Sequence, residues 1–247
     1  MQRKQIYLSI LSIGIFSITN TNASSLPKSR VAEYHACTYE ERNDIGDLNR
    51  WEKKWNEWAD SRDDIDYNAA VLIPMYGSVN TADNLDFVIV GWSESREGMM
   101  SAKSKYAQSN LQSSFPATCT SMLTRQYSQT EPDNWQANRA ELPLIYRSCK
   151  LAEGFSISDA YEKREALGVM QRKNGVKSVS RMIIPGLGRP SEEYDFILMT
   201  NHGDMENMGR NFDIWNKDET MRQEWYSIRQ NAYMCENPRM YVGRRIR

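Results

Sequence analysis

Between residues 31 and 127 the alternation of apolar and polar positions changes period several times. Val31 to Glu40 alternates as a strand does, ending in polar residues. Leu48, Trp51, Trp55 and Trp58 then fall on one stripe at helical spacing, with charges opposite and Asp47 placed to cap. Ala69 to Ile73 reads as a strand stopped by Pro74, with Gly77 opening a loop. Phe87 to Trp92 is apolar on both faces, as a central strand is. Arg96 to Gln108 presents Met99, Ala102 and Tyr106 on one helical face, and Thr118 to Tyr127 closes the unit as a strand. The order is β-α-β-β-α-β.

The same landmarks recur downstream in the same order. Cys37, Glu41, Ile45 and Asp47 match Cys149, Glu153, Ile157 and Asp159 at a constant offset of 112. Val71–Gly77 matches Met182–Gly188, Asp86–Val90 matches Asp195–Met199, and Cys119 matches Cys235. Asp159-Ala-Tyr-Glu162 reads as a capping box, with Ala160, Leu167 and Met170 on the stripe and Lys163 interrupting it. A period this long suits a duplicated small domain. The expected fold class is α+β: two tandem ferredoxin-like βαββαβ units whose antiparallel sheets face each other as a pseudo-dimeric α/β barrel. The expected boundaries are a signal peptide at 1–25, a first repeat at 26–128, a linker at 129–142 and a second repeat at 143–247.

The signal peptide rests on Arg3 and Lys4, the apolar run Ile6 to Ile18, and the cleavable Thr21-Asn22-Ala23. It implies a periplasmic or secreted protein. Four cysteines in such a chain favour disulfides. The repeat selects Cys37–Cys119 and Cys149–Cys235, one per copy, because first and fourth strands are antiparallel neighbours in this topology.

Composition narrows the partners. The formal charge is −1, or −3 with Arg3 and Lys4 set aside, so neither nucleic acid nor, after signal cleavage, a membrane is expected. Arg244, Arg245 and Arg247 read as a solvated tail. The absence of Cys-x-x-Cys, the presence of only two histidines and the lack of a complete glycine-rich phosphate loop argue for no metal and no cofactor.

The element order resembles the dimeric α/β-barrel superfamily. The run Cys37, Glu41, Asp47-Leu48, Trp51, Trp55-Asn56 and Trp58, followed by Asp86-Phe87, Gly91-Trp92 and Cys119, is similar to a group of uncharacterised exported proteins from marine bacteria. The second copy departs from it, with Lys163 and Asn201 in place of Trp51 and Trp92. The resemblance implies a cavity between the sheets.

Candidate acid–base residues are His35, Glu41, Glu153 and His202, the last with Asp204 nearby. Candidate ligand-binding residues are Tyr39, Trp92, Arg147 and Asn201. The expected function is non-enzymatic binding of a small molecule, or a stress-related role, in a monomer with internal pseudo-two-fold symmetry. The alternatives are a cofactor-independent monooxygenase- or isomerase-like enzyme using the inter-sheet cavity, and a structural protein with a filled core.

Overall fold

A computed structural model describes residues 26–77, 85–132, 135–138, 140–189 and 194–247. The expected signal peptide and part of the expected linker lie outside these residues. The first half carries β1 (Arg30–Tyr39), α1 (Ile45–Asp60), β2 (Asn68–Tyr76), β3 (Phe87–Ser93), α2 (Arg96–Ala107), a 3-10 turn at Asn110–Ser114, and β4 (Ala117–Ser128). The second carries β5 (Leu142–Leu151), α3 (Ile157–Lys173), β6 (Val179–Pro185), β7 (Phe196–Asn201), α4 (Met205–Lys217), α5 (Glu219–Arg229) and β8 (Tyr233–Arg245).

All strand pairs are antiparallel, and the eight strands close into one barrel in the order β1-β3-β2-β8-β5-β7-β6-β4. Each half therefore has the internal order fourth, first, third, second. The halves do not merely face one another, because their edge strands are hydrogen-bonded together. Ala70 stands opposite Arg245 in β2–β8, and Gln126 opposite Ile183 in β4–β6. An open sheet leaves unpaired backbone groups at its edges, and this closure pairs them.

Alternation along each strand separates two environments. In β1, Tyr34 points into the lumen with Leu72, Val90, Tyr146 and Met199, while Cys37 points outward with Leu48, Trp51 and Trp55 of α1. The second half repeats this, with Cys149, Phe196 and Tyr233 packing outward beneath α3. Cys37 lies opposite Cys119, and Cys149 opposite Cys235, with Cα separations of 4.1 and 4.0 Å; both pairs are disulfide-bonded. The carboxylates of Asp86 and Asp195 accept from the amides of Tyr39 (2.7 Å) and Leu151 (2.8 Å), tying first and third strands alike in each half.

Several expectations are corrected. Asp47 and Asp159 are not N-caps. Each is the third residue of its helix and reaches back to the cap amide, of Asp44 and Ser156 respectively. A capping box has polar residues at both ends, so its closing acid reads in sequence like a cap. β2 continues past Pro74 to Tyr76, where the register shifts on the β8 side. Helix α5 is an addition: Asp218 ends α4 and caps α5, leaving no loop between them to mark a boundary. The C-terminal arginines are not a solvated tail. Arg244 forms a bidentate pair with buried Glu52 on α1, and Arg245 lies over the Trp92 ring at 5.6 Å.

Candidate functional site

Three cavities lie in different layers. The lumen holds one of about 790 Å³, lined by Tyr34, Leu72, Val88, Tyr146, Arg239 and Tyr241 among others. Among the described residues, none of its lining groups is a histidine or a carboxylate. Tyr146 meets Tyr34 and Tyr241 edge-on at 6.2 and 5.5 Å. Beside them Arg30 Nε donates to Gln126 (2.9 Å), which donates to the Tyr34 hydroxyl (2.6 Å). Burial pushes the Tyr34 hydroxyl up to about 12, so it stays protonated.

The second cavity, about 580 Å³, lies under the helices of the first half. Its floor is the outer face of the sheet, with Glu33, His35, Ala69 and Ile89. Its walls are Trp51, Trp55 and Trp58 of α1, Ala102, Lys103 and Tyr106 of α2, and Tyr67 and Phe115. The wall is aromatic because the α1 stripe that buries against the sheet is built of tryptophan. Phe115 meets Trp51 edge-on at 4.8 Å, and Trp51 Nε1 donates to the Leu111 carbonyl at 3.2 Å. Trp58 Nε1 is buried with no acceptor.

Polar groups converge on one side of this pocket. Glu33 is 5% exposed; it accepts from the Tyr67 hydroxyl (2.8 Å) and from His35 Nε2 (3.2 Å), and pairs with Lys103. Burial alone would raise the Glu33 carboxyl, but the bonds and charges of His35 and Lys103 outweigh it and bring it down to about 2. With Nε2 facing Glu33, His35 Nδ1 stands 2.7 Å from Ser121 Oγ on β4. Gly91 makes room for this arrangement: a Cβ there would stand 1.7 Å from the Tyr67 hydroxyl.

The third cavity, about 290 Å³, is the counterpart under the second half's helices, lined by Arg147, Arg164, His202, Asn211, Arg229 and Tyr233 among others. His202 is buried, and its Nδ1 accepts from Asn211 Nδ2 at 3.0 Å. Burial, then the charges of Arg147 and Arg164, push its imidazole down to about 4, so it is neutral at pH 7. Asp204 does not partner His202; it caps α4, accepting from the Asn207 amide at 2.7 Å.

The expected site residues therefore scatter. His35 lies in the first-half pocket, and His202 and Arg147 share the second-half pocket. Glu41 and Glu153 sit exposed in surface turns. Tyr39 packs on Phe87 at 5.0 Å outside these cavities. Trp92 lies beneath Arg30 at 5.2 Å, and Asn201 accepts from the Gly203 amide in a turn. Glu33, Tyr67 and Lys103 join the site without having stood out in the sequence, and Ser121, which lines the lumen cavity, reaches His35 from the neighbouring strand. Glu33 and His35 alternate on one strand, which is a signal for a shared face, but Ser121 needs the β1–β4 register. Among the described residues, no group of three or more His, Cys, Asp or Glu could hold a metal ion.

No protein-family model matches the chain, and no curated protein does. Solved structures do. A protein assigned as a chlorite dismutase superposes with a TM-score of 0.51 at 11% identity, over 89% of this chain and 95% of that one. An anthrone oxidase-like protein gives 0.49 at 11%, over 89% and 94%. A protein assigned as a monooxygenase from Lactobacillus acidophilus gives 0.47 at 9%, over 90% and 95%. At such identity the likeness is one of fold. It agrees with the barrel superfamily that the element order resembles, and does not bear on exported proteins of marine bacteria.

Proposed function

We propose that the protein binds a small planar organic molecule in the first-half pocket. The observation that carries this reading is the pocket itself: a cavity of about 580 Å³ walled by aromatic rings, with Glu33, His35, Tyr67 and Lys103 converging on one side. Such a mixture of apolar walls and few convergent polar groups is what small-molecule sites offer. A ring stacked against Trp55 or Tyr106 would present its polar edge to that cluster. The depressed Glu33 carboxyl favours binding over base catalysis, because a carboxylate at about 2 is a weak proton acceptor at pH 7.

The wider reading is an exported monomer made of two duplicated ferredoxin-like units. The shared strand order and the matched disulfides support duplication, and the disulfides support an oxidising compartment. Native mass spectrometry of the protein purified from its own host tests the binding, with tryptophan fluorescence as a second readout. A co-purified organic ligand, or saturable quenching that is lost in Glu33→Gln, is expected. Ligand-free protein whose fluorescence answers to no member of an aromatic compound library overturns the reading.

A second reading, an enzyme acting through His35, is favoured by the Glu33–His35 pair of this pocket and by Ser121, a residue of the lumen cavity, whose Oγ stands 2.7 Å from His35 Nδ1. Glu33 would orient the ring and His35 would take the proton from Ser121 or from a bound substrate, as in an isomerase. The fold neighbour assigned as a chlorite dismutase puts an enzyme on a similar barrel. Turnover of an identified ligand that falls at least about 100-fold in His35→Asn supports this reading, within the range typical of acid–base groups. Unchanged turnover removes it.

A further inference from the structure

The second-half pocket serves a different chemistry. Arg147 stands on β5, Arg164 on α3 and Arg229 at the end of α5, and all three line the same cavity. None of them forms an ion pair among the described residues, and no carboxylate is among the residues lining the cavity. Arg164 is 6% exposed. Its Nη2 donates to Ser180 Oγ at 2.6 Å and, more distantly, to Gln171 at 3.4 Å, while its Nε has no acceptor. The Tyr233 hydroxyl, on a residue 2% exposed, makes no hydrogen bond of normal geometry, and Arg229 Nε is a third buried donor without an acceptor. The groups that favour the Arg164 charge are the Tyr233 hydroxyl and then Glu165, whose carboxylate accepts from the Thr130 amide at 3.0 Å.

Buried guanidinium groups are costly unless a negative charge faces them. Here the cations weaken each other: burial and then Arg164 lower the proton affinity of Arg147. His202 adds a further donor. Its Nδ1 accepts from Asn211, so the neutral ring carries its proton on Nε2. Three cations and several unfilled donors around about 290 Å³, with no carboxylate among the described lining residues, describe a receptor for one small anionic group.

We propose that this pocket binds a small oxyanion, a phosphate or a carboxylate group, through Arg147, Arg164 and Arg229, with Tyr233 and His202 donating to it. The site is separate from the first-half pocket, so either reading can fail alone.

The test is thermal unfolding and calorimetric titration of the full chain with inorganic phosphate and, separately, with acetate, at pH 7.5 and constant ionic strength. A ligand that binds only the folded state raises the melting temperature in a saturable way. The expected result is saturable binding of at least one anion, weakened about tenfold or more in Arg147→Gln and in Arg229→Gln. Binding should be unchanged in Arg210→Gln, which removes a charge from α4 outside the pocket. Circular dichroism checks that each variant folds, and if Arg147→Gln does not, Arg229→Gln carries the test. No saturable binding of either anion, or binding undiminished in the folded pocket variants, overturns the proposal.

Discussion

The two sheet–helix pockets occupy matching places in the two halves and have opposite chemistry. In the first, α1 contributes tryptophans and β1 contributes Glu33 and His35, while Glu52 of α1 is buried against Arg244 and does not line the pocket. In the second, α3 puts Arg164 at the position where α1 has Glu52, at the same distance along the chain from each half's first cysteine. Likewise β5 puts Arg147 where β1 has His35. What matches is the frame: the cross-strand disulfide, the aspartate tying first strand to third, and the acid closing each capping box. What differs is the set of charged groups within reach of a ligand. A symmetric barrel thus carries two unlike pockets, and the difference resides in side chains on an unchanged scaffold.

The largest expected effects test the matched frame. Replacing both cysteines of a pair by serine should cost about 4 kcal/mol in either half, because the crosslinks close loops of similar length, 82 and 86 residues apart. Urea unfolding of the two double variants checks this, and a loss confined to one half would break the equivalence.

The next test separates the two matching helix positions. Glu52→Ala should cost about 3–5 kcal/mol, because it leaves the Arg244 guanidinium without its carboxylate. Arg164→Met should change stability by less than about 1 kcal/mol in anion-free buffer, because it removes a buried cation that has no carboxylate. Equal losses in the two variants would erase the contrast.

Acid should reveal both pockets in turn. His202 is held near 4 against an ordinary 6.5, so below pH 6.5 the unfolded chain takes up a proton that the folded chain refuses. Stability is full above pH 6.5 and falls as pH drops toward 4. Glu33 is held near 2 against an ordinary 4.5, so its contribution is full above pH 4.5 and is lost as pH falls toward 2. Each step amounts to about 3 kcal/mol, since every tenfold change in proton affinity is worth about 1.4 kcal/mol. In His202→Gln the higher step should vanish from a denaturation series against pH, and in Glu33→Gln the lower one. The smallest effect belongs to Arg210→Gln, whose partner Glu206 is exposed one helical turn away; no measurable change in stability is expected.

Much of the frame was legible along the chain because it is written locally. The Leu48–Trp51–Trp55 stripe, the apolar run from Phe87 and the recurring cysteines each declare themselves within a few residues. The edge-to-edge closure was not, since Ala70 and Arg245 meet only through long-range pairing. Helix α5 escaped because Asp218 serves two helices at once. The pocket chemistry was the least legible. Glu33 and Arg164 are charged residues in sequence and buried ones in space, and local periodicity does not say which charges a fold takes inside. Ser121 reaches His35 only across a strand boundary.

Strand β8 joins the halves on one side of the barrel, pairing with β2 and β5 at once. It also follows the other seven described strands in the chain. Until it emerges from the ribosome, the β2 edge is bare and Glu52 waits inside for Arg244. The first half therefore cannot reach its finished state during synthesis, however early its own four strands appear. A nascent chain of this protein is committed to waiting, and its exposed β2 edge is where a chaperone or a second copy would find it first.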